Sequence, residues 1–479
     1  MMTPCDERPL RVAIVGSGPA GMYAAGHLLE GPAGTYLGGE LVDMVDRHVE
    51  VDVFDRLATP WGLVRGGVAP DHPEKKRVSK VFEAIAARPG FRFFGNVDIG
   101  RDITAAELAE WYDAVIYAVG AAGNRELAIP GHKLSGCFPA GEFVAWYNGH
   151  PDYSQLDFDL SGARAVIVGN GNVALDVARI LTVDVSVLAQ TDISDVALTA
   201  LQDSAIREVV ILGRRDPVHA AFNTPELEEL GHLNAADVII DGDIECQDTM
   251  PGPADPTVVR KLQTLRHLAA RARDEQRKRI VFRFFAAPVR LLGAERVEAV
   301  VVAHNEMGRH PDGGLEFYTT GEESVIETAL VLGAIGYQSA PIIGLPFDDR
   351  RCVVPHRAGR VVDGDAVVPG TYVTGWIKRG PTGIIGTNKK CARETVQSLL
   401  EDAAANRLAT CTTFSADAVT EVVRTRTPAA VPYAGWKAID RDERQAGQRD
   451  GRPRVKYVTT DQLLSVAATA RGALGSTAH

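Results

Sequence analysis

A chain of 479 residues is too long for a single hydrophobic core and predicts two or three domains. Hydrophobic residues make up 45% and charged residues 24%, as in ordinary globular proteins, and the net charge of −11 argues against general affinity for nucleic acid. No apolar run approaches the ~18 residues of a membrane span, and the segment MMTPCDERPL is too short and too acidic for a targeting peptide, so we expect a cytoplasmic protein.

The cysteines are scattered and include no C-x-x-C pair. This spacing argues against a zinc site, an iron–sulfur cluster in this chain and a redox-active disulfide, so no metal is expected. The six thiols have the right number for three disulfides, but reduced cytoplasmic thiols are the interpretation we favour. They are Cys5, Cys137, Cys246, Cys352, Cys391 and Cys411.

The first predicted unit, RVAIVGSGPAG at 11–21, is a strand, a Gly-x-Gly-x-x-Gly turn and a helix over 18–29. The first glycine makes a tight turn, the second lets the backbone approach a pyrophosphate, and the third keeps helix and strand close. The helix start offers free N–H groups and a positive dipole end to the phosphates. The candidate binding residues of this turn are Gly16, Gly18, Pro19, Ala20 and Gly21.

The next predicted strand, VEVDVFD at 49–55, ends in Asp55, where an acidic residue commonly binds a ribose hydroxyl. The interval of 34 residues from Gly21 is longer than the usual ~20, because a mixed, glycine-bearing insertion occupies 31–49. A helix over 76–87 and strands over 91–99 and 113–121 follow.

A second fingerprint, RAVIVGNGNVA at 164–174, indicates a second dinucleotide, with a helix over 172–181. Its next strand, 208–216, leads into Arg214 and Arg215, where an NAD-selective site would carry an acid. Because guanidinium groups bind phosphate bidentately, these arginines predict the 2′-phosphate of NADP(H), and the first site then suits FAD. The alternative is a solvated basic turn.

Helices are predicted over 225–232 and 257–279, followed by an antiparallel excursion and an apolar strand at 329–337 that returns to a parallel sheet. The strands at 113–121 and 329–337 both close on a glycine, as expected where a chain crosses between domains; ordinary buried strands are the alternative. The fold class is therefore α/β with two Rossmann-like domains. An NADP-binding domain at 122–336 is inserted in an FAD-binding domain made of 1–121 and 337–479.

The segment GWIKRGPTGIIG at 375–386 runs from a strand through a Gly/Pro turn into a helix that begins near Gly383. Amides at this helix start are placed to stabilise the negative charge of a reduced flavin, and Trp376 to pack against its ring. The alternative for Trp376 is plain core packing. Lys389 and Lys390 are interpreted as solvated helix charges.

The chain resembles the adrenodoxin reductase-like NADPH–ferredoxin reductases, especially their actinobacterial members. Matching segments span nearly the whole sequence and include TPWGLVRGGVAPDHPEKK (59–76), LSGARAVIVGNGNVALDVARIL (160–181), VVILGRRDPVHAAF (209–222), GWIKRGPTGIIGTNKK (375–390) and GRPRVK (451–456). The resemblance implies FAD and NADP(H) as cofactors, hydride transfer from NADPH to FAD, and single-electron transfer to an iron–sulfur ferredoxin.

The resemblance also implies site residues. His72 and Glu229 match a pair that lies near the flavin and nicotinamide and assists hydride transfer; a structural loop histidine is the alternative. The family often has Glu where this chain has Asp55, and the shorter carboxylate is expected to reach the ribose. FAD is held by the 16–21 turn, Asp55, Leu63, Val97, Trp376, Gly383, Ile384 and Ile385, and NADP by Arg125, Asn170, Gly171, Asn172, Val173, Arg214, Arg215, Glu226 and Gly383.

Ferredoxins are usually strongly acidic, so we expect docking on a local basic surface. Arg266, Arg273 and Arg277 share one face if 257–279 is a continuous helix; a merely solvated charged helix is the alternative. We expect a monomer or weak oligomer. A disulfide reductase is disfavoured by the missing C-x-x-C, whereas a flavin-bearing electron-input subunit of a larger complex and a non-enzymatic NADP-binding scaffold remain alternatives.

Overall fold

The computed structural model describes residues 8–30, 36–37, 40–41, 48–242, 255–309, 315–408 and 414–475. The strands are β1 Leu10–Val15, β2 Tyr36–Leu37, β3 Glu40–Leu41, β4 Val49–Asp55, β5 Phe91–Gly95, β6 Ala114–Tyr117, β7 Gly123–Asn124, β8 Cys137–Pro139, β9 Arg164–Val168, β10 Glu208–Leu212, β11 Ala236–Asp241, β12 Lys278–Arg283, β13 Ala286–Leu292, β14 Ala299–Arg309, β15 Leu315–Glu327, β16 Leu330–Gly333, β17 Tyr337–Gln338, β18 His356–Arg357, β19 Arg360–Asp363, β20 Ala366–Val373 and β21 Val431–Pro432.

The helices alternate with the parallel strands in both halves of the chain. They are α1 Pro19–Leu29, α2 Leu63–Gly66, α3 Pro73–Lys76, α4 Ser79–Ala86, α5 Ala105–Trp111, α6 Ala140–Tyr147, α7 Asn172–Thr182, α8 Val185–Leu188, α9 Asp195–Gln202, α10 Thr224–Leu230, α11 Pro256–Ala269, α12 Trp376–Arg379, α13 Ile385–Ala404, α14 Ala416–Arg426, α15 Tyr433–Arg449 and α16 Thr460–Gly475.

Two separate parallel sheets carry the two glycine turns. The first sheet has the order β18-β19-β20-β6-β1-β4-β5-β21 and is parallel from β20 to β5. The second has the order β11-β12-β10-β9-β16-β8 and is parallel throughout. The fingerprint strands β1 and β9 are buried and lie inside their sheets, with later strands on both sides. In such sheets ligands bind at the carboxyl ends of the strands where the strand order reverses.

The predicted antiparallel excursion is confirmed as the three-stranded sheet β13-β14-β15, after which β16 pairs in parallel with β9. Strands β7 and β17 pair with each other at the two points where the chain passes between the part that holds the first sheet and the part that holds the second. This pairing brings the two crossings together at 123–124 and 337–338 and supports the division at 122 and 336, which stays a prediction. Below, the FAD half means 1–121 with 337–479, and the NADP half means 122–336.

The helix predicted over 257–279 is wrong in its second part. Helix α11 ends at Ala269, and Lys278 already begins β12 between β10 and β11. Arg273 and Arg277 therefore do not continue the helical face of Arg266. In the turn between the two elements, the Asp274 amide donates to the Asp237 carboxylate at 2.7 Å.

Part of the predicted insertion at 31–49 lies outside the described residues, as do Cys5, Cys246 and Cys411. Cys137, Cys352 and Cys391 carry free thiols. Within the described ranges, no helix has the length and apolar character needed to cross a membrane. The same residues include no group of three or more His, Cys, Asp or Glu arranged to hold a metal ion.

Candidate functional site

The first glycine turn has the geometry of a phosphate cradle. Gly16 has φ +103°, and a Cβ there would lie 2.6 Å from the Ala118 carbonyl oxygen at the end of the neighbouring β6. A Cβ on Gly21 would overlap the Gly16 carbonyl, so helix and strand pack as closely as predicted. A Cβ on Gly18, by contrast, would meet nothing nearer than the Gly62 Cα at 3.9 Å. Since α1 also begins without a side-chain cap, its first amides are available to an anion.

The second glycine turn repeats this arrangement in the NADP half. Gly169 has φ +110°, and a Cβ would overlap the Ala334 carbonyl oxygen beyond β16. A Cβ on Gly171 would meet nothing within 4 Å, and α7 also begins without a side-chain cap. In both turns the first position must be glycine, because a side chain there would collide with the backbone after the adjacent strand. The second glycine faces open space. This arrangement leaves room for a pyrophosphate at each turn.

Asp55 lies at the end of β4, beside the first turn. Its Oδ2 accepts a hydrogen bond from the Ser17 amide at 2.8 Å and another from the Ser17 hydroxyl, while Oδ1 accepts from the Leu57 amide at 2.9 Å. Burial raises the pKa of this carboxyl, although the Ser17 and Leu57 hydrogen bonds act in the opposite direction. The carboxylate thus braces the turn itself, and its contact with a ribose stays a prediction.

A recess opens at the carboxyl ends of β1 and β6, where the strand order of the first sheet reverses. It is lined by Val15, by Val119 and Gly120 after β6, and by the segments 98–101 and 340–343. Its position next to the Gly16 turn is the one that a dinucleotide occupies in folds of this type.

The remaining predicted FAD residues differ in accessibility. Leu63 and Ile384 expose 41% and 66% of their surface, which is unusual for apolar residues, and Gly383 has φ +82° just before α13. Trp376 stacks obliquely on Tyr337 with ring centroids 5.6 Å apart, and its indole N–H donates to the Thr382 carbonyl at 3.1 Å. Val97 is only 1% exposed, so its side chain does not support the predicted direct contact.

The two arginines after β10 are presented to solvent on an anchored backbone. Asn305 Nδ2 donates to the Arg214 carbonyl at 2.9 Å, and the Phe285 amide donates to the Arg215 carbonyl at 3.1 Å. Both side chains are exposed, and the ion pairs among the described residues include neither guanidinium. Such cations are free to bind an added phosphate.

The other predicted NADP residues surround the second turn. Asn170 is so close to Gly213 that a Cβ there would lie 2.6 Å from Asn170 Nδ2. Asn172 Oδ1 accepts from the Asn223 amide at 2.8 Å, which ties α7 to the start of α10. On α10, the buried Oε2 of Glu226 makes no hydrogen bond with a described group. Arg125 is exposed beside the paired crossings, and Gly171 and Val173 are half-buried.

The structure brings His72 and Glu229 together across the two halves. His72 Nε2 lies 2.8 Å from Glu229 Oε2, and His72 Nδ1 lies 3.2 Å from Lys75 Nζ. Burial raises the pKa of the Glu229 carboxyl, but the contact with His72 and the charges of Lys75 and Arg179 outweigh it and lower this pKa to about 2. Glu229 is therefore ionised at neutral pH.

Comparisons with known proteins agree with this geometry. A family model described as pyridine nucleotide-disulphide oxidoreductase matches residues 10–226. NADPH-ferredoxin reductase FprA of Mycobacterium tuberculosis is 46% identical over 465 residues, covering 96% of this chain and 99% of that protein. The chain belongs to the adrenodoxin reductase-like NADPH–ferredoxin reductase family. The mitochondrial NADPH:adrenodoxin oxidoreductase of Arabidopsis thaliana is 41% identical, covering 97% of this chain and 96% of that one.

A solved structure of Mycobacterium tuberculosis FprA in complex with NADPH superposes with a TM-score of 0.88 at 46% identity, covering 96% of this chain and 100% of that chain. The predicted family, the α/β fold with two dinucleotide-binding domains and the oxidoreductase class are thereby confirmed. The roles of the individual site residues stay predictions.

Sequence reasoning missed the groups that surround His72 and Glu229. Arg179 on α7 contacts Glu229 and also Asp71, the residue before His72, and Asp176 pairs with the same arginine. The only available signal was their presence inside the matched segments 59–76 and 160–181. No residue pattern within either segment indicated that these two segments contact each other in the folded chain.

Proposed function

We propose that this chain passes electrons from NADPH, through a bound FAD, to an iron–sulfur ferredoxin. When bound, FAD accepts a hydride from NADPH and releases the electrons singly, which matches a two-electron donor to a one-electron acceptor. The observation that carries the proposal is the pair of open glycine turns, of which the second adjoins two arginines that form no ion pair with any described residue. FAD and NADP(H) as cofactors agree with membership of the family.

In this proposal the residues of the chain bind the two nucleotides and orient them. The free amides at the start of α1 hold the FAD pyrophosphate, and those of α7 hold the NADPH pyrophosphate. Arg214 and Arg215 bind the 2′-phosphate, and the amides after Gly383 stabilise negative charge on the flavin. The half-buried Trp376 and the exposed Ile384 cover the ring and exclude water.

The decisive experiment mixes the FAD-loaded protein with NADPH under anaerobic conditions and follows the flavin absorbance, then adds an oxidised ferredoxin. The proposal expects rapid bleaching by NADPH, slow or no bleaching by NADH, and recovery of the flavin band as the ferredoxin is reduced. Bleaching without electron transfer to any ferredoxin, together with copurification of a large partner, would favour an electron-input subunit. A preparation that binds NADPH but neither retains nor accepts FAD would favour a scaffold.

The proposal also includes a docking surface for the ferredoxin. Part of the arginine-rich run at 257–279 is paired with carboxylates in the folded chain. Arg260 pairs with Glu228 at 2.9 Å, Arg277 with Asp237 at 3.3 Å and Arg279 with Glu208 at 2.9 Å. Lys261 is buried and donates to the Val218 and Ala220 carbonyls, and Arg271 donates to the Gly231 carbonyl. Of the three arginines predicted to form the docking face, Arg277 is thus paired, whereas Arg266 and Arg273 form no ion pair with a described residue and do not share a helical face.

A second basic surface lies on the first turns of α13, close to the proposed flavin end. Lys389, Lys390 and Arg393 are exposed there, and the ion pairs of the described residues include none of them. The neighbouring Glu394 is engaged by Lys378 at 2.8 Å. Since electron transfer needs a short path to the flavin, we propose this α13 surface as the docking face of an acidic ferredoxin, by charge complementarity.

Matched charge reversals distinguish the two surfaces. Lys390→Glu with Arg393→Glu is expected to slow ferredoxin reduction and to remove most of its salt dependence, while reduction of a small neutral acceptor is unchanged. Arg266→Glu with Arg273→Glu, the control, is expected to have little effect on either acceptor. The opposite result would move the docking face to the end of α11, and insensitivity of both variants would place it elsewhere.

A further inference from the structure

Arg179 joins the two halves of the chain at one buried point. It lies on α7 in the NADP half with a side chain that is 4% exposed, yet it reaches Asp71 in the FAD half. Its Nε lies 2.5 Å from Asp71 Oδ2 and its Nη2 lies 3.0 Å from Asp71 Oδ1. This two-point arrangement fixes distance and orientation at once, which a single lysine contact does not do.

The same guanidinium faces the pair formed by His72 and Glu229. Nη2 lies 3.5 Å from His72 Nδ1, and Nη1 lies 3.6 Å from Glu229 Oε2. Asp176, one turn before Arg179 on α7, accepts from Nη2 at 2.9 Å. One side chain therefore contacts the loop that carries His72 and the helix that carries Glu229.

The charges around Arg179 keep it in place. Burial acts to lower its pKa, but the hydrogen bonds and charges of Asp71 and Asp176 outweigh burial and raise it. The Nη1 of Arg179 and the Oε2 of Glu229 are buried and lack a well-formed hydrogen bond with any described group. The guanidinium is thus permanently charged, held firmly on its Asp71 side and close to Glu229 on the other.

We propose that Arg179 is a positioning residue for hydride transfer, which holds the His72 loop of the FAD half in register with Glu229 and α7 of the NADP half. The inference rests on the proposed function, because it gives Arg179 the task of setting the approach of nicotinamide to flavin. Arg179 itself touches neither reactant in this role. It acts through Asp71, His72 and Glu229.

The test measures binding and chemistry separately in Arg179→Lys. This variant keeps the charge but loses the two-point contact. We expect unchanged FAD content, an NADPH dissociation constant within about twofold of wild type, and a rate constant of flavin reduction at saturating NADPH that is lower by about tenfold or more, since sub-ångström misplacement is costly for transfer. Asp71→Asn, which keeps the size of the partner and removes its charge, is expected to change the same rate constant in the same direction.

Arg452→Lys is the matched control. Arg452 is also buried and also crosses between the halves, with Nη1 2.5 Å from Asp195 Oδ1, but its hydrogen bonds go to Thr191, Ile193 and Asp195 and not to the groups around His72. We expect it to lower the melting temperature without changing flavin reduction. If Arg179→Lys folds and reduces its flavin at the wild-type rate, or if Arg452→Lys slows reduction equally, the inference is overturned. If Arg179→Lys fails to fold, a wild-type rate in Asp71→Asn overturns it. Failure of NADPH to reduce the wild-type flavin would instead refute the proposed function.

Discussion

Replacing Arg214 and Arg215 together with Gln is expected to convert this chain from an NADPH-selective to an unselective reductase. Each arginine offers charge-assisted hydrogen bonds to a 2′-phosphate, worth about 1.5–3 kcal/mol apiece. Because both side chains are exposed, the lower figure applies, and the pair contributes about 3 kcal/mol, or roughly 10²-fold in affinity. NADH lacks the phosphate, so its binding has little to lose.

The backbone at these positions is held by Asn305 and Phe285, so the substitution is expected to leave the fold intact. The assay compares kcat/KM for NADPH and NADH in the wild type, in the double variant and in Arg273→Gln, an exposed arginine outside the proposed site. The expected result is a loss of about 10²-fold for NADPH alone, found only in the double variant. Equal losses for both cofactors would refute the argument and give the arginines a structural role.

Three further outcomes are expected. The purified protein is expected to be yellow and to release FAD on acid treatment, since no recognised covalent attachment motif is present; a colourless protein that cannot be reconstituted contradicts the enzyme assignment. His72→Ala and Glu229→Ala are expected to change the rate of flavin reduction or the flavin potential while both nucleotides still bind, and unchanged stopped-flow traces in both would leave the pair structural. Asp192→Asn is expected to cost about 3–5 kcal/mol in unfolding free energy, measured by denaturant titration, because it leaves the half-buried Lys76 and the buried Lys456 facing each other.

The Asp192 prediction has a definite pH signature. Burial raises the pKa of this carboxyl, but Lys456 and Lys76 outweigh burial and hold the pKa below its ordinary value. Its stabilisation is therefore complete above the unfolded pKa of about 4 and is lost as pH falls through the folded value. The wild type is expected to lose this stability below about pH 4, whereas Asp192→Asn, already destabilised, lacks that part of the pH dependence.

Features that depend on a few consecutive residues were predictable from the sequence. The strand β4 has the predicted bounds, Val49–Asp55, and both glycine turns have the predicted geometry. In each, steric limits act within one strand, turn and helix, so the pattern of glycines carries the whole constraint. The location of the exposed Arg214 and Arg215 was predictable from their position in the sequence, because the end of β10 places them beside the second turn.

The end of α11 was not predictable, because no local signal marks it. The residues after Ala269 are good helix formers and contain neither glycine nor proline before the strand. The helix ends because Lys278–Arg283 is drawn into the parallel sheet between β10 and β11, with Arg271 bound to the Gly231 carbonyl and Asp274 to Asp237. Tertiary pairing here overrides propensity, and it also removes the continuous helical face on which Arg266, Arg273 and Arg277 were expected to lie together.

The same distinction separates nucleotide binding from hydride transfer in this chain. Each glycine turn is built within one half, so each left a recognisable local pattern. The positioning that we propose for hydride transfer depends on contacts that cross the halves, such as Arg179 to Asp71, which are 108 residues apart, and His72 to Glu229. Such contacts have no periodicity or spacing of their own, because they arise only when the two sheets pack together. Selectivity for NADPH is therefore expected to follow from residues visible in the sequence, whereas the rate of transfer follows from residues that only the folded chain brings together.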